Sequence, residues 1–227
     1  MEHVLDNPSW NALASGNKNL AHGNNEVKYF AQDVSPFVGM RDNSEEQFQM
    51  LYELTDHNGP VGFVSNTGHD APKNWKLLSP NIAYQMIYEA SLTPAEVEVT
   101  LTPLTEAHIP QMLALTKLTN PGPFAPRTID FGHYYGVFDG VKLVAMAGQR
   151  MHIEDYTEIS AVCTHPDYLG RGYAKQLLLG QIHRMQAAGN TPILHVRKNN
   201  ERAVKVYESI GFTPRTTIHF NILQKIK

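Results

Sequence analysis

In the second half of the chain the spacing of apolar positions switches repeatedly between two residues and three to four. VEVTLTPLT alternates and predicts a strand. EAHIPQMLALTKL carries Ile109, Met112, Leu113 and Thr116 at helical spacing. HYYGVFDGVKLVAMAGQRM predicts a hairpin turning at Asp139 and Gly140, because Asp-Gly suits the positive φ of a tight β-turn. YTEISAVCT is a further strand. Residues 172–188 then place Ala174, Leu177, Leu178, Ile182 and Met185 on one helical face, stopped by Gly189 and Asn190. PILHVRK is a strand. ERAVKVYESI is a helix with Ala203, Val206, Tyr207 and Ile210 inward, closed by Gly211, and TPRTTIHFNIL is a last strand. The order β-α-loop-β-β-β-α-β-α-β predicts an α/β (mixed) fold, with a central mixed sheet flanked by helices.

The first part is less regular. Residues 7–14 predict a short helix. NSEEQFQMLYEL predicts a firmer one, with Ser44 as N-cap, Gln47 at the capping-box position and Phe48, Leu51 and Tyr52 as its apolar stripe. DHNGP reads as a turn, and VGFVS and IAYQMIY as strands. The proline-containing SLTPAEVEV reads as a boundary, which divides the chain into a smaller N-terminal α+β region, 1–96, and a second region, 97–227. No catalytic constellation is visible in the first region.

Composition narrows the classes. The 227 residues are 42% hydrophobic and 18% charged, which suits a globular protein with a core of ordinary size. The net charge of −3 points to neither nucleic acid nor membrane as a partner. The single cysteine, Cys163, excludes a disulfide within the chain and a zinc-cysteine cluster. MEHVLDNPSWNAL has no basic region followed by an apolar run, and no apolar stretch approaches spanning length, so a cytoplasmic location is expected.

HPDYLGRGYAKQLL, from His165 to Leu178, sets two glycines one residue apart at a helix start. Unpaired N–H groups emerge there, and glycine lets an anion approach them. A dinucleotide fingerprint would need glycine where Lys175 stands, and no phosphate-binding GxxxxGK[ST] run occurs. A tight turn without a ligand is the competing reading. Charge favours the anion: between Tyr168 and Lys205 stand Arg171, Lys175, Arg184, Arg197, Lys198, Arg202 and Lys205 against Glu201 alone. A ligand with a pyrophosphate and a further phosphate would use that many cations.

VCTHPDYLGRGYAKQLL followed by LHVRKNNERAVKVYESIGF resembles the two central motifs of the GNAT family of acyl-CoA-dependent N-acetyltransferases. The resemblance covers residues 97–227 and implies the GNAT-like acyl-CoA N-acyltransferase fold. The family's loop pattern, Gln/Arg-x-x-Gly-x-Gly/Ala, falls on Leu169, Gly170, Arg171, Gly172, Tyr173 and Ala174, and Leu169 departs from it. By this resemblance the N–H groups from Gly170 to Lys175 seat the pyrophosphate of acetyl-CoA. The strand before the loop splays from its neighbour, so the pantetheine arm bonds to Val162, Cys163 and Thr164. Asn200 either contacts the coenzyme or caps the last helix.

Acetyl transfer needs an amine without its extra proton, donors for the carbonyl oxygen and a hydrogen bond or proton for the departing thiolate. The main-chain amide of Val162 is placed to be such a donor. Tyr207 matches the family's usual tyrosine acid and also lies near the coenzyme site. A phenol stays protonated at neutral pH and can donate to sulfur, although its spacing equally fits a core aromatic. Glu158 stands where several family members carry a catalytic glutamate. It serves as base through water if burial raises its pKa; the other reading is a solvent-facing strand residue. Cys163 reads as a small core residue rather than a nucleophile. His152, Glu154 and Asp155 read as a polar hairpin tip, and His133, His195 and His219 show no ligand spacing, so no metal is expected. The expected partners are acetyl-CoA and a primary amine of a small or amino-acid-like molecule; a homodimer is common in the family. A non-catalytic acetyl-CoA sensor and a protein N-acetyltransferase remain the alternatives.

Overall fold

The structure is a computed structural model that describes residues 3–88, 91 and 93–226. In chain order it forms α1 (Pro8–Ala14), β1 (Ala21–Gly23), β2 (Val27–Phe30), β3 (Val38–Met40), α2 (Glu45–Leu54), β4 (Val61–Ser65) and β5 (Trp75–Tyr88). There follow β6 (Thr102–Pro103), α3 (Ile109–Thr119), β7 (Tyr135–Asp139), β8 (Lys142–Ile153), β9 (Tyr156–Thr164), α4 (Tyr173–Ala187), β10 (Thr191–Arg197), α5 (Glu201–Ser209) and β11 (Phe212–Lys225). Among the described residues β1, β2 and β3 make a small antiparallel sheet, and the other eight strands make one mixed sheet in the order β4-β11-β5-β10-β9-β8-β7-β6.

Local chemistry explains the element ends. Ser44 accepts from the Gln47 N–H and starts α2, while the Gln47 side chain accepts from Asp42 rather than from the cap residue. Gly140, at φ 57, turns the β7–β8 hairpin. Asn200 Oδ1 accepts from the Ala203 N–H and caps α5, which among the described residues leaves its Nδ2 free for a ligand. The β8–β9 hairpin turns at Glu154 and Asp155, with Glu154 left-handed at φ 48, while His152 still pairs as a strand residue of β8.

Two expectations need correction. Only Thr102–Pro103 of VEVTLTPLT pairs as a strand. The alternating Val99 and Leu101 pack as side chains beside Leu177 of α4, and Leu101 reaches Gly180, so the apolar period records packing without a ladder. The boundary near residue 97 is also not a structural seam. β5 lies between β10 and β11, and β4 closes the far edge of the same sheet. The long β5–β11 pairing, from Tyr88 with Phe212 to Trp75 with Lys225, ties the two regions into one core. Leu92, inside the presumed boundary, lies outside the described residues.

One face of the sheet is covered by α4 and α5, where Leu178, Ile182 and Met185 meet Leu194 and Val196. The other face packs against α1 and α3 through Leu13, Met112, Met146 and Ile193. No helix of the described residues is long and apolar enough to cross a membrane.

Candidate active site

The parallel pair at the centre of the sheet comes apart. β9 and β10 pair from Tyr156 with Thr191 only as far as Glu158 with Ile193. Beyond that point β10 keeps β5 on its other side through Arg197, and β9 keeps β8 through Thr164. Residues 159–164 and 194–197 therefore flank a fork, with strand edges that have no ladder partner on that side. A bulge sharpens it: Ala161 and Val162 together oppose Ala147, and Ala161 is held at φ 54. Such a left-handed alanine is strained, and bulges of this kind re-aim main-chain groups.

The glycine loop follows β9. Gly170 and Gly172 both sit at φ 79, and a Cβ at either would meet open space. Gly172 is the N-cap of α4 and offers no side chain to it. Among the described residues no acceptor takes the N–H groups from Gly170 to Lys175. Arg171 lies over the Tyr168 ring at 4.6 Å, and Tyr168 donates to Asp139 at 2.7 Å. Leu169 is 51% exposed.

On the α5 side, Tyr207 packs in the cluster that holds Val162 on one arm of the fork and Val196 on the other. Burial pushes its phenol up to about 12. It stays protonated at any physiological pH and is able to donate. Burial likewise raises the Cys163 thiol to about 11, which removes thiolate character and agrees with a core residue.

On the opposite face, Glu158 is 1% exposed and doubly held by Arg150, Nε to Oε2 at 2.8 Å and Nη2 to Oε1 at 2.6 Å. His195 Nδ1 lies 2.7 Å from Oε1. Burial alone would raise this carboxyl, but the Arg150 guanidinium and His195 outweigh it and hold it well below the usual carboxylate range. The condition under which Glu158 would act as base is therefore not met. It is a fixed anion that orients two partners.

The network continues toward the N-terminus. Gln85 Oε1 accepts from Arg215 Nε at 2.5 Å, and Gln85 Nε2 donates to the Leu5 carbonyl at 2.9 Å. The remaining amide hydrogen faces His195 Nε2 at 3.1 Å. This assigns an accepting Nε2 and a proton on Nδ1 donated to Glu158. Arg215 also pairs with Asp6. Two of these cations occupy bulges. Arg150 and Met151 oppose Glu158 alone, and Arg215 is the unpaired residue beside Pro214 in β11.

A cavity of 410 Å³ opens over Arg150 and His195. Its walls include Phe37, Phe220, Ile222 and the loop from Asn120 to Pro123, with Arg197 at the end of β10. That size suits a small molecule.

The FR47-like protein family matches residues 134–220, which run from β7 into β11 and contain the fork, the loop and Tyr207. Over the whole chain the structure superposes on the crystal structure of a protein from Novosphingobium aromaticivorans, described as an acetyltransferase of the GNAT family. The TM-score is 0.91 with 30% identity, covering 100% of each chain. The chain belongs to the GNAT family. A GCN5-related N-acetyltransferase from Kribbella flavida shares the fold at TM-score 0.62 and 11% identity, covering 96% of each chain. Two curated relatives match a part only. Mycothiol acetyltransferase of Corynebacterium glutamicum (strain R) is 35% identical over 78 residues, 34% of this chain and 27% of its own length. The ribosomal protein bS18-alanine N-acetyltransferase of Haemophilus ducreyi is 38% identical over 63 residues, 27% of this chain and 43% of its own length. The chain thus spans about a quarter of the mycothiol relative it matches.

Within the GNAT fold the loop residues Leu169 to Lys175, the strand residues Val162 to Thr164 and Tyr207 surround one fork. Glu158 lies on the other face, held by Arg150 and His195, and Asn200 caps α5. Arg150, Gln85 and Arg215 carry no sequence signal as site residues. Their convergence depends on two bulges and on β5 pairing between β10 and β11. Pro214, an awkward residue in a central strand, is the one local hint of a bulge beside Arg215.

Proposed function

We propose that this chain is an N-acetyltransferase that moves an acetyl group from acetyl-CoA to the primary amine of a small or amino-acid-like molecule by direct transfer. The observation that carries the proposal is the open β9–β10 fork beside a row of unengaged N–H groups at the start of α4. Those donors, with Arg171 and Lys175, suit a pyrophosphate, and the unladdered edge of Val162 to Thr164 suits an amide-bearing arm. Acetyl-CoA supplies an activated acetyl thioester there.

The chemistry asks three things of the residues. The amine nitrogen bonds to the acetyl carbon, the carbon–sulfur bond breaks, nitrogen releases one proton to water and sulfur gains one. Main-chain donors at the Ala161–Val162 bulge are placed to meet the carbonyl oxygen. Tyr207 gives the proton to sulfur and regains one from water. Glu158 does not take the amine proton; it fixes Arg150 and His195 in the cavity floor.

The test pairs acetyl-CoA calorimetry with amine-dependent release of free coenzyme. Binding with turnover supports the proposal. Binding without turnover on any amine points to a sensor. Turnover only on peptide N-termini points to a protein N-acetyltransferase. Tyr207→Phe is expected to lower kcat roughly a hundredfold while acetyl-CoA affinity stays within about twofold. With the phenol at about 12, wild-type turnover should show no loss from tyrosine ionisation between about pH 8 and 10. Unchanged kcat in the variant removes the acid role.

A further inference from the structure

The cavity over Arg150 and His195 has an unbalanced charge. Its polar lining is Asn81, Asn120, Arg150, His195 and Arg197, and among the described residues no carboxylate lines it. Glu158 answers Arg150 through two hydrogen bonds. Arg197 has neither an ion pair nor a side-chain hydrogen bond among the described residues, and its side chain is exposed. It sits two residues beyond His195, on the same face of β10 and on the arm of the fork. The facing walls are apolar, from Phe37, Phe220 and Ile222 with the prolines at 121 and 123.

From this lining we infer that the acceptor is an amino carboxylate with an apolar side chain, held by its carboxylate on Arg197. The inference rests on the acetyltransferase reading above and names its substrate class. A guanidinium presents parallel donors that match a carboxylate in a two-point contact. One unanswered positive charge calls for one negative charge, so a carboxylate balances the site where a phosphate dianion would overshoot. The same surroundings act on the other end of the substrate. An ammonium taken out of water between the apolar walls is disfavoured, so the bound amine loses its proton more readily than in water. The site thereby eases a deprotonation for which Glu158 offers no base. A diamine would bring a second ammonium with no anion to meet it, so polyamines are selected against.

Matched pairs test this directly: phenylalanine against phenethylamine, methionine against 3-(methylthio)propylamine, with cadaverine as the diamine. Acetylated products are quantified by mass spectrometry below saturation, so that kcat/KM is read. The acids are expected to exceed their decarboxylated partners at least tenfold, with cadaverine lowest. Arg197→Gln should bring each pair to within about threefold, a ratio that any change in acetyl-CoA affinity leaves untouched. Calorimetry adds a readout without turnover: N-acetylphenylalanine should bind the wild type and lose at least tenfold in Arg197→Gln. Equal or better use of the plain amines overturns the inference and leaves the acetyltransferase reading standing. Acetyl-CoA binding with no acid acetylated overturns it too, and turnover on the plain amines then decides whether the acetyltransferase reading stands. Failure of acetyl-CoA to bind at all overturns the acetyltransferase reading and the inference with it.

Discussion

Gly172→Glu is expected to weaken acetyl-CoA binding at least a hundredfold while the protein stays folded. Three observations set the size. Gly172 is at φ 79, a conformation that costs an L residue about 1–2 kcal/mol. The N–H groups around it have no other acceptor, so their alignment toward an anion is what the substitution disturbs. A carboxylate at this helix start also repels phosphate and competes for the same donors. Folding should survive, because an added Cβ meets nothing within 4 Å. Gly172→Ala separates the causes: it keeps the backbone penalty without the charge and should fall between the two. Calorimetry with acetyl-CoA, beside a thermal melt, checks both. A dissociation constant within threefold of the wild type for the glutamate variant would remove the loop from the coenzyme site.

Glu158→Ala is expected to cost about 3–5 kcal/mol of stability, the range for removing one member of a buried ion pair. Arg150 would be left as a buried cation without its partner, and the His195 Nδ1–H without its acceptor. For a chain of this size that loss lowers Tm by roughly 10 °C. Arg150→Met combined with Glu158→Leu should recover much of it, because the penalty comes from the unpaired charge rather than from the missing attraction. The acid dependence has a definite sign. The folded pKa of Glu158 is depressed, so its contribution is fully present above the unfolded carboxylate value of about 4.3. It is lost as pH falls below that value toward the folded one. Urea midpoints measured from pH 5 down to pH 3 should therefore fall more steeply for the wild type than for Glu158→Ala. A cost under 1 kcal/mol, or parallel acid profiles, would show that the pair does not carry this part of the core.

These two positions differ in how visible they are in the chain. Gly172 is legible because its requirement is local: a positive φ at a helix start, with cations nearby, is written within a few residues. The helices α2, α4 and α5, the β7–β8 hairpin and the membership of Tyr207 in an apolar stripe are legible for the same reason. Their signals are side-chain periods and caps, which act over three or four residues. The small sheet of β1, β2 and β3 was missed because three- and four-residue strands carry too short a period to register.

The surroundings of Glu158 and Arg197 are set by residues far away in the chain. A glutamate on a strand reads alike whether it faces water, an apolar core or an arginine, yet burial alone raises its pKa and the arginine lowers it. What decided the matter was register. Bulges in β8 and β11 set Arg150 against Glu158 and turned Arg215 toward Gln85, and β5 entered between β10 and β11. The sequence by itself determined the longer helices, the β7–β8 hairpin, the glycine loop and the family likeness, since each rests on interactions between near neighbours. Only the tertiary structure decided which charges are paired, and that the first 96 residues help build the cavity through Phe37 and Asn81. Those outcomes follow from strand pairing across tens of residues, and no local pattern encodes a partner that far away.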